Sequence, residues 1–135
     1  MSNSIPKIIH YCWFGNPNKP KNVKRFIDSW KEQLPDFTFM EWNEKNCDLS
    51  QEIGYVKQAY RAQKYAFVSD YIRVKKLVEY GGVYLDTDVR IVKRFDKLLH
   101  KHDVVLGFEG TGKLGTAFMA SIPRHPLFTE FLQTY

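Results

Sequence analysis

The chain has 135 residues, a formal net charge of +5 and an isoelectric point near 9.2, a length that suits one domain over residues 1–135. Hydrophobic residues make up 44% and aromatic residues 16%, enough to build a core, and no apolar run approaches the roughly 18 residues of a membrane span. Met1 to Pro6 lacks the apolar stretch of a secretory signal, and Cys12 and Cys47 form no CxxC and have no His at zinc spacing.

Both cysteines read as reduced thiols of a cytoplasmic protein, with a bridge between them left open. Positive charge falls in small clusters: Lys19, Lys21, Lys24 and Arg25; Lys57, Arg61 and Lys64; Lys93, Arg94 and Lys97. Solvated helix faces account for most of these, and the functional alternative is attraction to phosphates. No helix-turn-helix, zinc-finger or RNA-binding signature occurs, so nucleic acid is not the expected partner.

In chain order, the apolar run from Lys7 to Phe14 reads as a buried first strand ended by Gly15, and residues 16–20 carry turn chemistry. Val23, Phe26, Ile27, Trp30 and Leu34 recur at helical spacing between Lys21 and Leu34. Pro35-Asp36 breaks that helix, and Phe37 to Trp42 makes a second strand. A strand–helix–strand unit of this kind builds a mostly parallel sheet in an α/β fold. Residues 43–54 read as a loop, followed by a long helical stretch from about Val56 to Tyr80, open to interruption. Phe67, Tyr71, Val74 and Val78 form its apolar stripe, with Asp70 and Arg73 beside it. Arg90 to Val92 is expected to continue extended, Phe95 to Leu99 to make a helical turn, and Asp103 to Phe108 a strand. Gly110, Gly112 and Gly115 mark a loop, Thr116 to Ser121 a further strand, and His125 to Tyr135 a helix.

The most informative stretch is Tyr80-Gly81-Gly82-Val83-Tyr84-Leu85-Asp86-Thr87-Asp88-Val89. It reads as a glycine helix stop, a short buried strand, and two carboxylates one residue apart. On an extended segment Asp86 and Asp88 would point the same way and repel unless a cation sat between them. Mn²⁺ or Mg²⁺ suits such a pair, because these ions take one or two carboxylates plus water and phosphate oxygens. The position after a strand agrees, since ligands of open α/β sheets bind beyond the carboxyl ends of strands. Asp70 and Arg73 read as an intrahelical ion pair, or as a partly buried pair with a third partner. Trp13 is a core aromatic or a platform for a nucleobase. His10 and Tyr84 read as structural, although the Tyr84 phenol could bond a ligand. Gly110-Thr111-Gly112 is too short for a phosphate loop, and G-x-x-x-x-G-K-S/T is absent.

Ser69-Asp70-Tyr71-Ile72-Arg73-Val74, then Leu77, then Gly81 to Asp88, resembles the DXD-containing sugar-transferase family. That family includes capsular polysaccharide glycosyltransferases, yeast initiating α-1,6-mannosyltransferases and the catalytic domains of clostridial glucosylating toxins. Ile5 to His10 with Trp13 is similar to the family's first strand, and the likeness runs from about Ile5 to Val89. The resemblance implies a GT-A-like, Rossmann-like nucleotide-sugar binding domain and retaining transfer to a saccharide or lipid-linked saccharide, in capsular or surface polysaccharide synthesis. By the same resemblance Asp88 would ligate Mn²⁺ or Mg²⁺ directly, and Asp86 would meet a metal-bound water or the ribose. Asp70 and Arg73 would hold the donor's sugar and phosphate, Trp13 would stack on the base, and Tyr84 would position the donor. A UDP-sugar is favoured, with a GDP-sugar possible. The location implied is cytoplasmic, with peripheral association at the inner face of the membrane.

Family members are typically longer, so the expectation is a C-terminally truncated form, or one whose missing half is replaced by assembly, with weak donor binding and little transfer by itself. Three other readings compete. A non-catalytic nucleotide-sugar binding module shares the fold. A haloacid-dehalogenase-like phosphatase would use the first Asp as nucleophile but wants Thr or Val where this chain has Arg90. A calcium loop fails at Arg90 and Ile91.

Overall fold

Residues Ile8–Cys12 form β1, buried along most of its length, in a computed structural model that describes residues 4–109 and 113–135. The helix expected next is α1, Lys21–Gln33, with Val23, Ile27 and Trp30 buried against the sheet and Leu34 buried at its end. β2, Thr38–Trp42, lies parallel to β1, pairing Ile8 with Thr38 and Cys12 with Trp42. The strand–helix–strand unit is therefore present.

Residues 43–54 are not all irregular: Leu49–Gln51 make a 3-10 turn capped by the Asp48 side chain. The long helical stretch is interrupted, giving α2, Gly54–Arg61, and α3, Tyr65–Tyr80. The break falls at Gln63, whose φ of 59° is incompatible with a continuing helix. Neither Gly nor Pro marks it.

The apolar stripe of α3 is also displaced from the expected one. Phe67 is exposed, and the buried positions are Val68, Tyr71, Ile72, Arg73, Val74 and Leu77. α3 packs against β1, β3 and β5 on one side and against α2 and α5 on others, so its covered sector is wide. A stripe drawn for one covered face misses that breadth.

α3 ends at Gly81, as a glycine helix stop predicts, and both glycines take positive φ. Gly81 combines φ 67° with ψ −177°, and Gly82 follows with φ 113°. Such conformations are essentially restricted to glycine. A Cβ on Gly82 would lie 2.8 Å from the Ile8 carbonyl oxygen. The double glycine thus lets the chain leave α3 and enter β3, Gly82–Leu85, tight against β1.

The sheet order is β2-β1-β3-β5-β4, with β4 at Val104–Glu109 and β5 at Lys113–Ser121. β1, β2, β3 and β4 point one way and β5 runs antiparallel between β3 and β4. β5 starts before the expected Thr116 and contains Gly115, which pairs with Gly107 rather than lying in a loop. Gly110 and Gly112, like the first three residues, lie outside the described residues. Arg90 to Val92 joins no strand; α4, Asp96–Lys101, and α5, Pro126–Gln133, complete the order.

Alternation along β1 sends Ile9 and Tyr11 to the face covered by α1, and Cys12 to the face covered by α2, α3 and α5. β1, β2 and β3 end on one edge of the sheet. That edge carries the D-x-D.

Candidate active site at the carboxyl edge of the sheet

β3 ends at Leu85, and Asp86 still bonds the sheet, its N–H donating to the Ala117 carbonyl at 2.9 Å. The chain then turns. The Val89 N–H donates back to the Asp86 carbonyl at 3.0 Å, closing a turn through Thr87 and Asp88. Asp86 and Asp88 are therefore not on an extended segment, and the same-side argument for their carboxylates lapses. The cause lies in α1, where the Trp30 indole N–H donates to the Val89 carbonyl and the Gln33 amide to that of Ile91, each at 2.8 Å. These two bonds draw residues 89–91 onto α1 and out of the sheet.

The positive charge expected near the aspartates is supplied from α3. Arg73 Nη2 lies 3.0 Å from Asp86 Oδ1 and 3.3 Å from Asp70 Oδ1, and its guanidinium lies over the Tyr84 ring, 4.4 Å from the centroid. Its Nε donates to the Ser69 carbonyl at 3.2 Å, and the Tyr84 hydroxyl donates to Asp86 Oδ1 at 3.0 Å. The Arg73 side chain is 6% exposed, whereas those of Asp70 and Asp86 are 39% and 32% exposed. A buried cation thus holds two carboxylates that still face solvent. The third partner expected for the Asp70–Arg73 pair is Asp86.

The energetics of the group follow from burial. Desolvation raises the Asp70 carboxyl above its ordinary value; Arg73 opposes the rise and Asp86 adds to it. Burial works against the Arg73 charge, but the Tyr84 ring face and the Asp86 and Asp70 carboxylates outweigh it and hold the guanidinium protonated. Burial pushes Tyr84 well above the usual phenol value and Cys12 up to about 12, so both stay neutral. Cys12 is a member of this neighbourhood that sequence reasoning missed. The signal was available: Cys12 ends β1, which pairs in parallel with β3 through His10 opposite Tyr84. Cys12 and Cys47 are both free and buried.

His10 is structural, as expected, and fully buried. The Trp42 indole N–H donates to its Nδ1 at 3.0 Å, and its Nε2 lies 2.8 Å from the Gly81 carbonyl. An indole N–H only donates, so Nδ1 accepts and Nε2 carries the proton. This neutral ring ties β2 to Gly81, the glycine between α3 and the D-x-D strand. Burial accordingly lowers its pKa, the Gly81 bond raises it, and Lys76 lowers it further.

Trp13 follows β1 on the same edge, half-buried, its indole N–H donating to the Asn16 carbonyl at 2.6 Å. The loop beyond is braced by Glu44, which accepts from the Gly15 N–H at 2.6 Å and the Tyr60 hydroxyl at 3.0 Å. A Cβ on Gly15 would lie 2.4 Å from the Tyr65 ring, so only glycine fits above that ring.

Among the described residues no group of three or more His, Cys, Asp or Glu side chains converges on a metal position. The donor set is two carboxylates. Asp88 is exposed, with no side-chain partner among the described residues, and both contacts of Asp86 use Oδ1, leaving Oδ2. Such a pair fits a hard divalent ion whose remaining ligands are water and phosphate oxygens.

The fold and this edge together define an α/β glycosyltransferase scaffold of the GT-A-like class. PaToxG glycosyltransferase has the same fold, with a TM-score of 0.77 and 20% identity over 96% of this chain and 59% of that one. The chain belongs to the family described as the glycosyltransferase sugar-binding region containing DXD motif, which matches residues 20–105. It is 32% identical to mannosyl phosphorylinositol ceramide synthase CSH1 of Saccharomyces cerevisiae over 96% of this chain and 35% of that protein. It is 29% identical to the initiation-specific alpha-1,6-mannosyltransferase of Candida albicans over 78% of this chain and 30% of that protein. The chain thus spans about a third of these relatives. Membership in this family removes the basis for the phosphatase reading. No helix among the described residues is long and apolar enough to cross a membrane.

Proposed function

We propose that the chain binds a nucleotide-sugar donor at the carboxyl edge of its sheet and serves retaining transfer of the sugar to a saccharide or lipid-linked saccharide. The observation that carries this reading is Arg73, buried on Tyr84 and bridging Asp70 of α3 to Asp86 of the D-x-D. The bridge fixes a helix carboxylate beside the motif while leaving both carboxylates open to a ligand. A structural ion pair alone would not require three charged groups at the mouth of a parallel sheet.

In this reading Asp88 ligates Mn²⁺ or Mg²⁺ directly, and Asp86 contributes Oδ2 to a metal-bound water or the ribose. The ion, when bound, neutralises the diphosphate leaving group as a Lewis acid. Asp70 accepts hydrogen bonds from hydroxyls of the donor sugar. Arg73 is a positioning residue, acting through the carboxylates it holds, and Tyr84 orients Asp86 through its hydroxyl. Trp13 stacks on the base from the end of β1. The names of the relatives bring mannose forward as the sugar and a phosphoceramide-type lipid as one acceptor. UDP- and GDP-linked donors both belong in the test. Surface or capsular polysaccharide synthesis at the cytoplasmic face of the membrane completes the proposal, and the two free thiols suit a reducing compartment.

Calorimetric titration of donors with and without Mn²⁺, on the wild type and Asp88→Ala, tests the assignment. The expected result is metal-dependent binding that Asp88→Ala abolishes without changing the melting temperature. Mn²⁺-dependent affinity retained in that variant would overturn it.

A further inference from the structure

Two residues beyond Asp88, Arg90 lines a cavity of about 250 Å³ together with Asn22, Arg25, Phe26 and Ser29 of α1. Its two walls are α1 and the segment that follows the D-x-D turn. Those walls are clamped on both sides of Arg90 by the bonds from Trp30 to the Val89 carbonyl and from Gln33 to the Ile91 carbonyl. Gln33 Nε2 also donates to Ser29 Oγ at 3.0 Å, so the Ser29 hydroxyl proton is left to donate elsewhere. The position of Arg90 is therefore set by the fold, although its side chain reaches an open concavity.

The charge in this cavity is unbalanced. Arg73 and Arg94 each hold two carboxylates. Among the described residues no carboxylate forms an ion pair with Arg25 or Arg90, not even Asp28, one turn along α1 from Arg25. Two guanidiniums sharing one concavity repel each other, and an anion between them reverses that cost. Each offers a planar fork of donors matched to phosphate oxygens. Asn22 and Ser29 add neutral donors, and Phe26 supplies an apolar wall.

We infer that Arg25 and Arg90, with Ser29 and Asn22, form a phosphate-binding site beside the D-x-D turn, one that takes a phosphate group carried by a small molecule or a lipid headgroup. It is separate from the diphosphate position on Asp86 and Asp88, because it is built from cations and needs no metal. Placed against the same turn, a phosphate held there would set one end of a phosphorylated ligand next to the donor edge.

The test is binding of inorganic phosphate and of myo-inositol 1-phosphate, followed by ³¹P NMR in EDTA, where a metal-dependent diphosphate site does not contribute. Flotation with phosphatidylcholine vesicles, with and without phosphatidylinositol, is the second arm. Wild type is expected to bind, and Arg25→Gln and Arg90→Gln each to weaken binding roughly tenfold while melting like wild type. Preference for the small phosphates identifies a soluble ligand, and preference for phosphatidylinositol vesicles identifies a headgroup; either supports the site. Equal affinity in both variants, or no binding of any of these probes by wild type, would overturn it. Because the assay contains no nucleotide and no metal, its outcome is independent of whether a donor binds at Asp88.

Discussion

Arg73 and Arg94 each gather two carboxylates, and the contrast between them separates a site from a surface. Arg94 reaches Asp36 and Asp96 at 3.0 and 2.7 Å, with its side chain 42% exposed and Lys7 also on Asp36. That cluster pins the turn after α1 to the start of α4, in water. Arg73 makes equivalent contacts with almost no exposure of its own, against an aromatic face, and its carboxylates are the parts that see solvent. Exposed ion pairs contribute little because water and salt replace them readily. A buried cation that loses nothing to solvent leaves its partners badly placed when it is removed. Depth decides the difference.

The largest expected effect comes from Arg73→Met, which keeps much of the packing on Tyr84 and removes the charge. Asp86 and Asp70 would then repel with no cation between them. We expect a loss of about 2–3 kcal/mol in urea unfolding, below the ~3–5 typical of fully buried pairs because water reaches both carboxylates. A loss no greater than that of Arg94→Met would put Arg73 in the same class as Arg94.

A second effect tests another buried polar centre, His10. Its folded pKa is lowered from 6.5, so the unfolded chain binds the proton more readily. The contribution of the neutral ring is complete above pH 6.5 and is lost as pH falls through the window below it. Protonation also turns Nδ1 into a donor facing the Trp42 N–H. Urea midpoints measured from pH 7.5 to 5 should fall, and His10→Gln, though less stable throughout, should flatten that slope. An unchanged slope would assign the acid sensitivity elsewhere.

The two arginine clusters also predict opposite signs in acid. Asp96 is lowered to about 2 by its bond from Arg94, so its contribution is present above pH 3.8 and is lost as pH falls towards 2. Asp70 is raised by burial, so it favours folding at low pH and that advantage is lost as pH rises through its folded value. Carboxyl-carbon NMR titration should place Asp70 above 3.8 and Asp96 well below it; the reverse order would break the comparison. The smallest effect is Arg94→Met: water and salt screen this exposed cluster, so the urea midpoint should fall far less than in Arg73→Met.

Much of this was legible in the chain and some was not. The apolar runs of β1 and β2 and the spacing of Val23, Ile27 and Trp30 gave the strand–helix–strand unit, because each rests on local periodicity. Gly81-Gly82 was readable as a helix stop, although the reason for two glycines is the Ile8 backbone packed against Gly82. The D-x-D was legible as a motif but its turn was not, since Trp30 and Gln33 create it from 59 and 58 residues away. The break at Gln63 has no glycine or proline to announce it. Arg73 lay in plain view three residues after Asp70, yet its burial depends on Tyr84, which no helical spacing reveals.

The proposed function makes the group at Asp70, Arg73, Asp86 and Asp88 a metal-dependent donor site. The most direct measurement is thermal unfolding with UDP- and GDP-sugars, mannose donors included, each at high concentration with and without Mn²⁺. A ligand at 100 times its Kd stabilises the folded state by roughly 2.7 kcal/mol, which raises Tm by several degrees in a chain of this size. A metal-dependent donor site gives a rise with donors of one base and only when Mn²⁺ is present. An unchanged Tm with every donor, metal or not, would contradict it.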